Sequence, residues 1–350
     1  MSLGRRIGAC ALLAAISLAG AARADDAAPA LANQAGGAIF DVLYSRQTAE
    51  ATAARISGGF ASSWPQAWKA LFADAAWEED LAERPQLQAR FSQIFAANFT
   101  PQELAAGMDV LRAEATGQPG QLDPAVAAKV RASAAGRSFM QKFGQVAPQF
   151  DDAAQAMQGD WIPGVFRRFG VKAESAVAPP SDAERLQDDV ACQLLPADDM
   201  RRSMKADLQQ GLAPMFSGFP GHPEWQGKLA QAAADEVDAS QAKYCMALGP
   251  WVGRGLTPEE AQTALDFLKT SSGGALRALL AASLAHKPAP AMTPAMQTRV
   301  SHFMTSPVGA KLGDNLSHGG ELGGQAGVAY ATSIVPGVFR RFGEAAGAKP

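Results

Sequence analysis

One nine-residue phrase occurs twice in this chain. Residues 162–170 read IPGVFRRFG and residues 335–343 read VPGVFRRFG, so the copies differ in a single apolar residue. A repeat of this kind predicts two tandem copies of one domain, each closing on the same element. Because proline fits the first helical turn and glycine follows many helix ends, each phrase is predicted to form a short helix that docks through its phenylalanines.

The starts of two helices support the same plan. FTPQEL and LTPEEA each place a threonine before a proline and a glutamate three residues after the threonine, as in a capping box. The pairs are Thr100 with Glu103 and Thr257 with Glu260. No run of alternating β-branched residues is typical of a strand. The predicted fold class is therefore all-α, with two tandem helical-bundle domains related by internal duplication.

The markers of the two copies set the predicted domain boundaries. Thr100 and Thr257 are 157 residues apart, whereas Gly164 and Gly337 are 173 apart, so the second copy is longer in its latter half. The stretch VKAESAVAPPSDAER is typical of a linker. The predicted segments are a signal peptide over 1–24, a disordered segment over 25–37, the first helical domain over 38–170, a linker over 171–185, the second helical domain over 186–343 and a tail over 344–350.

The first 24 residues have the composition of a secretory signal peptide. Arg5 and Arg6 precede an apolar run of roughly 14 residues, and the small residues around Arg23 form a cleavage site. The run is shorter than the roughly 20 residues of a membrane-spanning helix, and a retained anchor is the alternative interpretation. We expect cleavage after Ala24, no transmembrane segment in the mature chain, and export to a bacterial periplasm.

The net charge indicates which classes of partner are excluded, and the number of cysteines indicates the redox chemistry. Removing three arginines with the signal peptide takes the net charge from −3 to about −6, which leaves no basic surface of the kind that binds nucleic acid. Cys192 and Cys245 then remain in an oxidising compartment, which favours a disulfide over two buried thiols. A zinc site is the least favoured alternative, because two cysteines supply too few ligands. We expect no metal and no cofactor.

Three stretches resemble a known family. FTPQEL, LTPEEAQTALDFLKTSSGGALRALL and FMTSPVGAKLGDNL are similar to parts of the secreted bacterial family catalogued as domain of unknown function 2059. The recurring phrase of this family is an aromatic or apolar pair, then Ser-Pro-x-Gly, then a basic residue. The best match to it is Phe303, Met304, Ser306, Pro307, Gly309 and Lys311, and a partial match is Phe267, Leu268, Ser271 and Gly274. The first copy has Ser133 and Gly136 but no aromatic-Ser-Pro element. The resemblance implies two divergent tandem copies of a helical, exported domain, and it implies no activity.

The repeated phrase contains the candidate binding residues. Arg167 and Arg168 in the first copy, like Arg340 and Arg341 in the second, cannot all point inward from a docked helix. In one interpretation the helix docks through its phenylalanines and the arginines have no binding role. In the functional alternative each pair holds an anion or a partner, because the planar guanidinium group matches carboxylate and phosphate.

No pattern in the chain is typical of catalysis, so no catalytic residue is predicted. The four histidines, at positions 222, 286, 302 and 318, lack metal-ligand spacing, and there is no Gly-x-Ser-x-Gly turn. We therefore predict a non-enzymatic periplasmic binding or envelope-support module with an unknown protein or envelope partner, and the oligomeric state is open.

Two alternative functions remain open at this stage. One is a carrier of an apolar ligand, such as a lipid or fatty acid, in a cavity between helices. It rests on the cluster Met200, Met204, Met215, Phe216 and Phe219. The other is a hydrolase of unfamiliar type, because folding can assemble a nucleophile, a base and an acid that no sequence motif announces.

Overall fold

The computed structural model is built from α-helices. It describes residues 27–58, 64–116, 123–195, 205, 222–284 and 286–347. All regular secondary structure in these ranges is helical, with no strand, which confirms the all-α fold class. The first helices are α1 (Ala27–Leu43), α2 (Arg46–Gly58), α3 (Gln66–Asn98), α4 (Pro101–Thr116), α5 (Pro124–Ala132), α6 (Ala134–Gln155) and α7 (Gln158–Ser175). They are followed by α8 (Asp182–Leu194), α9 (Glu224–Ala239), α10 (Gln241–Val252), α11 (Pro258–Leu268), α12 (Ser271–Leu284), α13 (Pro294–Met304), α14 (Pro307–Ser317) and α15 (Gly319–Gly347).

The chain forms two compact units. Among the described residues, unit 1 ends at Arg168 and unit 2 begins at Phe169, so the boundary falls inside α7 and close to the predicted boundary at 170. The predicted linker over 171–185 is largely helical, because α7 continues to Ser175 and α8 begins at Asp182. Residues 344–347 of the predicted tail likewise belong to α15. The signal peptide predicted over 1–24 lies outside the described residues.

Unit 1 has an aromatic core formed by α1, α3, α4 and α6. Seven buried phenylalanines belong to it: Phe40, Phe91, Phe95, Phe99, Phe139, Phe143 and Phe150. The predicted disorder of residues 25–37 is wrong from Ala27 onward, because α1 buries Ala32 and Ala35 against this core. The glycines that suggested disorder serve close packing, since a Cβ atom at Gly36 would collide with the α3 backbone at Gln88.

A disulfide joins two antiparallel helices of unit 2. Cys192 of α8 is bonded to Cys245 of α10, with 5.1 Å between their Cα atoms, as the sequence predicted. One helical turn away, a Cβ atom at Gly249 would overlap the carboxyl group of Asp188, so glycine permits this close approach. Burial raises the pKa of the Asp188 carboxyl to about 6, and the nearby Asp189 adds to the effect.

Removing the disulfide is expected to weaken unit 2. The disulfide links residues that are 53 positions apart in the sequence and so restricts the unfolded chain. Replacing Cys192 and Cys245 by serine removes this restriction and should lower the free energy of unfolding by about 3 kcal/mol. Urea unfolding followed by tryptophan fluorescence checks this, with dithiothreitol treatment of the unmodified protein as the matched control. An unfolding midpoint that neither treatment changes would contradict the expectation.

Candidate functional site

The repeated phrase lies inside two long helices, not in two short ones. Pro163 is internal to α7 and Pro336 is internal to α15, and both helices continue beyond the glycine that closes the phrase. The predicted helix ends at Gly170 and Gly343 are therefore wrong. Gly170 serves packing instead, because a Cβ atom there would collide with the carbonyl oxygen of Pro336.

In unit 1, the second arginine of the phrase is paired inside the fold. The Nε atom of Arg168 donates a hydrogen bond to Oε2 of Glu79 on α3. Glu79 is buried, with 7% of its surface exposed, and the contact with the guanidinium group offsets part of the cost of burying this side chain. Gly164 lies one turn before Arg168, and a Cβ atom at this position would overlap the Glu79 carboxylate. The phrase thus provides both the cation and the space for the carboxylate.

Unit 2 contains the same arrangement. The Nε atom of Arg341 donates to Oε2 of Glu236 on α9 at 2.8 Å, and a Cβ atom at Gly337 would overlap the Glu236 carboxylate. Glu236 is 3% exposed and also accepts a hydrogen bond from Nζ of Lys243 at 2.8 Å. Burial raises the pKa of Glu236, but its bonds to Arg341 and Lys243 outweigh this and lower it. Glu236 therefore stays ionised.

The first arginines of the two phrases differ in their surroundings. Arg340 donates to Glu174 at 2.9 Å and to Glu344 at 3.2 Å, both within unit 2. Arg167 is exposed and forms no ion pair with a described residue. Three of the four candidate arginines are therefore matched by carboxylates of their own unit. This arrangement favours the docking interpretation of the phrase and leaves Arg167 as the arginine open to a partner.

Buried carboxyl groups surround the ion pair of unit 1. Asp80 and Glu83 are 4% and 8% exposed and lie on α3 beside Glu79. Oδ1 of Asp80 accepts a hydrogen bond from the indole Nε1 of Trp161 at 2.8 Å. Burial raises the pKa of Glu83 to about 8, and the negative charges of Glu79, Asp80 and Asp160 raise it further. Glu83 is therefore predominantly protonated at neutral pH.

Unit 2 has an open groove of about 880 Å³, a volume within the range of small-molecule sites. It lies between the end of α10, the α10–α11 turn, α14 and the start of α15. The groove is lined by Trp251, Arg254, Asp314, His318 and Gln325, and also by Lys311 and Asn315. Trp251 is half-buried, while the side chains of Arg254, Asp314, His318 and Gln325 are exposed. The groove is thus lined by one indole group and by several polar side chains.

Two side chains of α14 hold the turn that carries Arg254. Nδ2 of Asn315 donates to the carbonyl oxygens of Val252 and Arg254, each at 3.0 Å. Nζ of Lys311 donates to the carbonyl oxygen of Gly255 at 3.1 Å and to both carboxylate oxygens of Glu260 at 2.7 Å. These bonds satisfy carbonyls at the end of α10 and fix the position of the turn relative to α14.

The orientation of the His318 ring is also fixed. Its Nδ1 atom lies 2.9 Å from the carbonyl oxygen of Asp314, and because a carbonyl only accepts, Nδ1 carries the hydrogen in the neutral ring. Nε2 is then an acceptor available to the groove. Ser317 Oγ lies 3.3 Å from the same Nδ1 and donates to the Asp314 carbonyl at 2.7 Å. Ser317 and His318 are therefore not a nucleophile and its base.

The other histidines do not assemble with His318. His222 stacks on Trp225 with 4.0 Å between ring centroids, and its Nδ1 atom lies 3.2 Å from Glu224. His286 and His302 are exposed. Within the described ranges, no group of three or more histidine, cysteine, aspartate or glutamate residues could hold a metal ion. The apolar cluster that suggested a lipid carrier, from Met200 to Phe219, lies outside the described residues.

The groove is not among the predictions made from the sequence. His318 was expected to be isolated, and neither Trp251 nor Arg254 was a candidate site residue. A usable signal was present in WVGRGLTPEE, where an aromatic residue and an arginine flank glycines just before a helix cap. Gly255 has a φ of 73°, which marks a tight turn and which only glycine adopts at no cost.

No helix in the described part of the chain combines the length and the apolarity that crossing a bilayer requires. No protein-family model, no curated protein and no solved structure matches this chain.

Proposed function

We propose that the protein is an exported, non-enzymatic binding protein whose ligand site is the groove of unit 2. The observation that carries the proposal is that a half-buried indole, a guanidinium group without an ion pair among the described residues and an imidazole nitrogen line one groove. Lys311 and Asn315 hold the turn that carries the guanidinium group. Groups held in place before binding lose little conformational entropy on binding. Export is supported by the composition of residues 1–24 and by the disulfide.

We also infer that the two units are copies of one helical design. Glu79 and Glu236 are 157 residues apart, which is the spacing of the two capping boxes. Their partners Arg168 and Arg341 are 173 residues apart, which is the spacing of the repeated phrase. Equal contacts at both predicted spacings support a duplication with an insertion in the latter half of the second copy.

A second contact repeats at the same spacings. The capping-box residue Glu103 accepts a hydrogen bond from Ser138 Oγ, and its counterpart Glu260 accepts from Lys311. Ser138 and Lys311 are 173 residues apart. In the second copy a lysine stands where the first has a serine, and its bond to the Gly255 carbonyl ties α14 to the turn that carries Arg254.

We keep membership in the secreted family as a proposal, and the residues of the family-like phrase form a helix corner. Ser306 follows the end of α13. It caps α14 by accepting from the N–H of Gly309 at 3.1 Å and donates to the carbonyl oxygen of Phe303 at 2.6 Å. A Cβ atom at Gly309 would collide with that carbonyl, so the phrase needs glycine there. The corresponding corner of unit 1 is formed by Val130, Ser133 and Gly136.

The proposed binding function is tested by ligand-observed NMR with a mixture of small acids, amines, polyols and aromatic amides. We expect several compounds to bind, and their saturation-transfer signal to fall at least fivefold in Trp251→Ala and in Arg254→Ala. Arg254→Ala changes an exposed side chain and so separates loss of binding from loss of fold. Gln297→Ala on α13, outside the groove, is the matched control and should bind normally. Binding that neither groove variant reduces would contradict the proposal.

A further inference from the structure

We propose that the groove of unit 2 recognises a saccharide, an inference that rests on the proposed binding function. The groove presents one flat apolar surface surrounded by hydrogen-bonding groups of both kinds. A pyranose ring has the complementary form, because one face carries C–H groups and the rim carries hydroxyl groups.

Trp251 forms the apolar surface. Its side chain is half-buried and lines the groove. Tryptophan combines a large apolar face with little conformational freedom, which suits it to stacking against a ligand. The C–H face of a sugar ring would cover this exposed indole surface and remove it from water, which contributes to binding in proportion to the area buried.

The rim of the groove offers both donors and acceptors. Arg254 only donates, the carboxylate of Asp314 only accepts, and the amide of Gln325 does both. His318 adds the acceptor Nε2, because its Nδ1 is bonded to the Asp314 carbonyl. Every hydroxyl group of a saccharide both donates and accepts. A mixed rim of this kind can satisfy a row of hydroxyl groups, whereas a phosphate or carboxylate has acceptors only.

The charge balance of the groove argues against an anion. The charge of Lys311 is matched by Glu260, whose carboxylate oxygens both lie 2.7 Å from Nζ. Arg254 and Asp314 then carry opposite single charges on the rim. A site for phosphate normally carries an excess of cations, and one for a lipid chain an apolar lining. The charges of the described rim side chains therefore balance, which fits a neutral, hydroxyl-rich ligand.

The test uses three defined probes, chitotetraose, cellotetraose and maltotetraose, titrated into the full-length mature protein by isothermal calorimetry. At least one is expected to bind, with a dissociation constant between about 1 μM and 1 mM, that is, a free energy of about −8 to −4 kcal/mol. Trp251→Ala should weaken binding at least tenfold, and Trp251→Phe should weaken it less because an aromatic face remains. Asp314→Asn, an exposed change, should weaken it at least threefold without loss of fold.

Two outcomes would overturn the inference. One is that none of the three saccharides binds, and the other is that binding is unaffected by Trp251→Ala and by Asp314→Asn. If other compounds still depend on Trp251 and Arg254 in the NMR experiment, the groove is a binding site for another class of ligand and only the saccharide inference fails. If no compound depends on either residue, the proposed function fails as well. Gln297→Ala again serves as the control that should retain full affinity.

Discussion

Replacing Arg168 by methionine is expected to lower the free energy of unfolding of unit 1 by about 4 kcal/mol. The substitution keeps much of the apolar stem but leaves the Glu79 carboxylate buried without its cation. Asp80 and Asp160 lie in the same region and would repel the uncompensated charge. The loss is measured by urea unfolding followed by the fluorescence of the tryptophans of unit 1.

The neighbouring arginine is the matched control for this prediction. Arg167→Met changes an exposed side chain without an ion pair among the described residues and should alter stability by less than about 0.5 kcal/mol. Arg341→Met should cost about 2 kcal/mol, because Lys243 remains 2.8 Å from Glu236. If Arg167→Met and Arg168→Met had equal effects, the repeated phrase would not dock through its second arginine.

The stability of unit 1 is expected to depend on pH through Glu83. Its pKa is about 8 in the fold, where burial favours the neutral acid, against an ordinary value of 4.5. The full contribution of this group is therefore present below pH 4.5, where both states hold the proton. It is lost as the pH rises from 4.5 to 8, because the unfolded chain releases the proton first. The loss over this window is on the order of 5 kcal/mol.

Glu83→Gln isolates this contribution from all other titrating groups. The free energy of unfolding of the variant minus that of the unmodified protein should be smallest near pH 4 and should grow in favour of the variant up to about pH 8. It should then level off. Urea unfolding at intervals of one pH unit measures the difference. A difference that stays constant between pH 4 and pH 9 would show that Glu83 is ionised in the fold.

The elements that could be predicted from the sequence are those formed by residues close together in the chain. The capping box of Thr257 and Glu260 forms because its two partners are three residues apart, at 2.9 Å and 3.2 Å. The helical class follows from periodicity and composition in the same way. The pairing of Cys192 with Cys245 was predictable because only two cysteines follow the signal-like segment.

The parts that could not be predicted depend on residues distant in the chain. Arg168 is paired with a glutamate 89 residues away, and Arg341 with one 105 residues away, and neither periodicity nor a motif relates such positions. The groove likewise combines Trp251 with Gln325. The error at residues 27–37 has a related origin, since Gly36 signals disorder by composition and becomes a packing contact only when α3 lies against it.

Two double-mutant cycles test most directly whether both units close on the same ion pair. One combines Glu79→Gln with Arg168→Met, and the other combines Glu236→Gln with Arg341→Met. We predict a favourable coupling energy of at least about 1 kcal/mol in each cycle. The larger value is expected in unit 1, where no lysine among the described residues shares the Glu79 carboxylate. A coupling energy near zero in either cycle would contradict the common design.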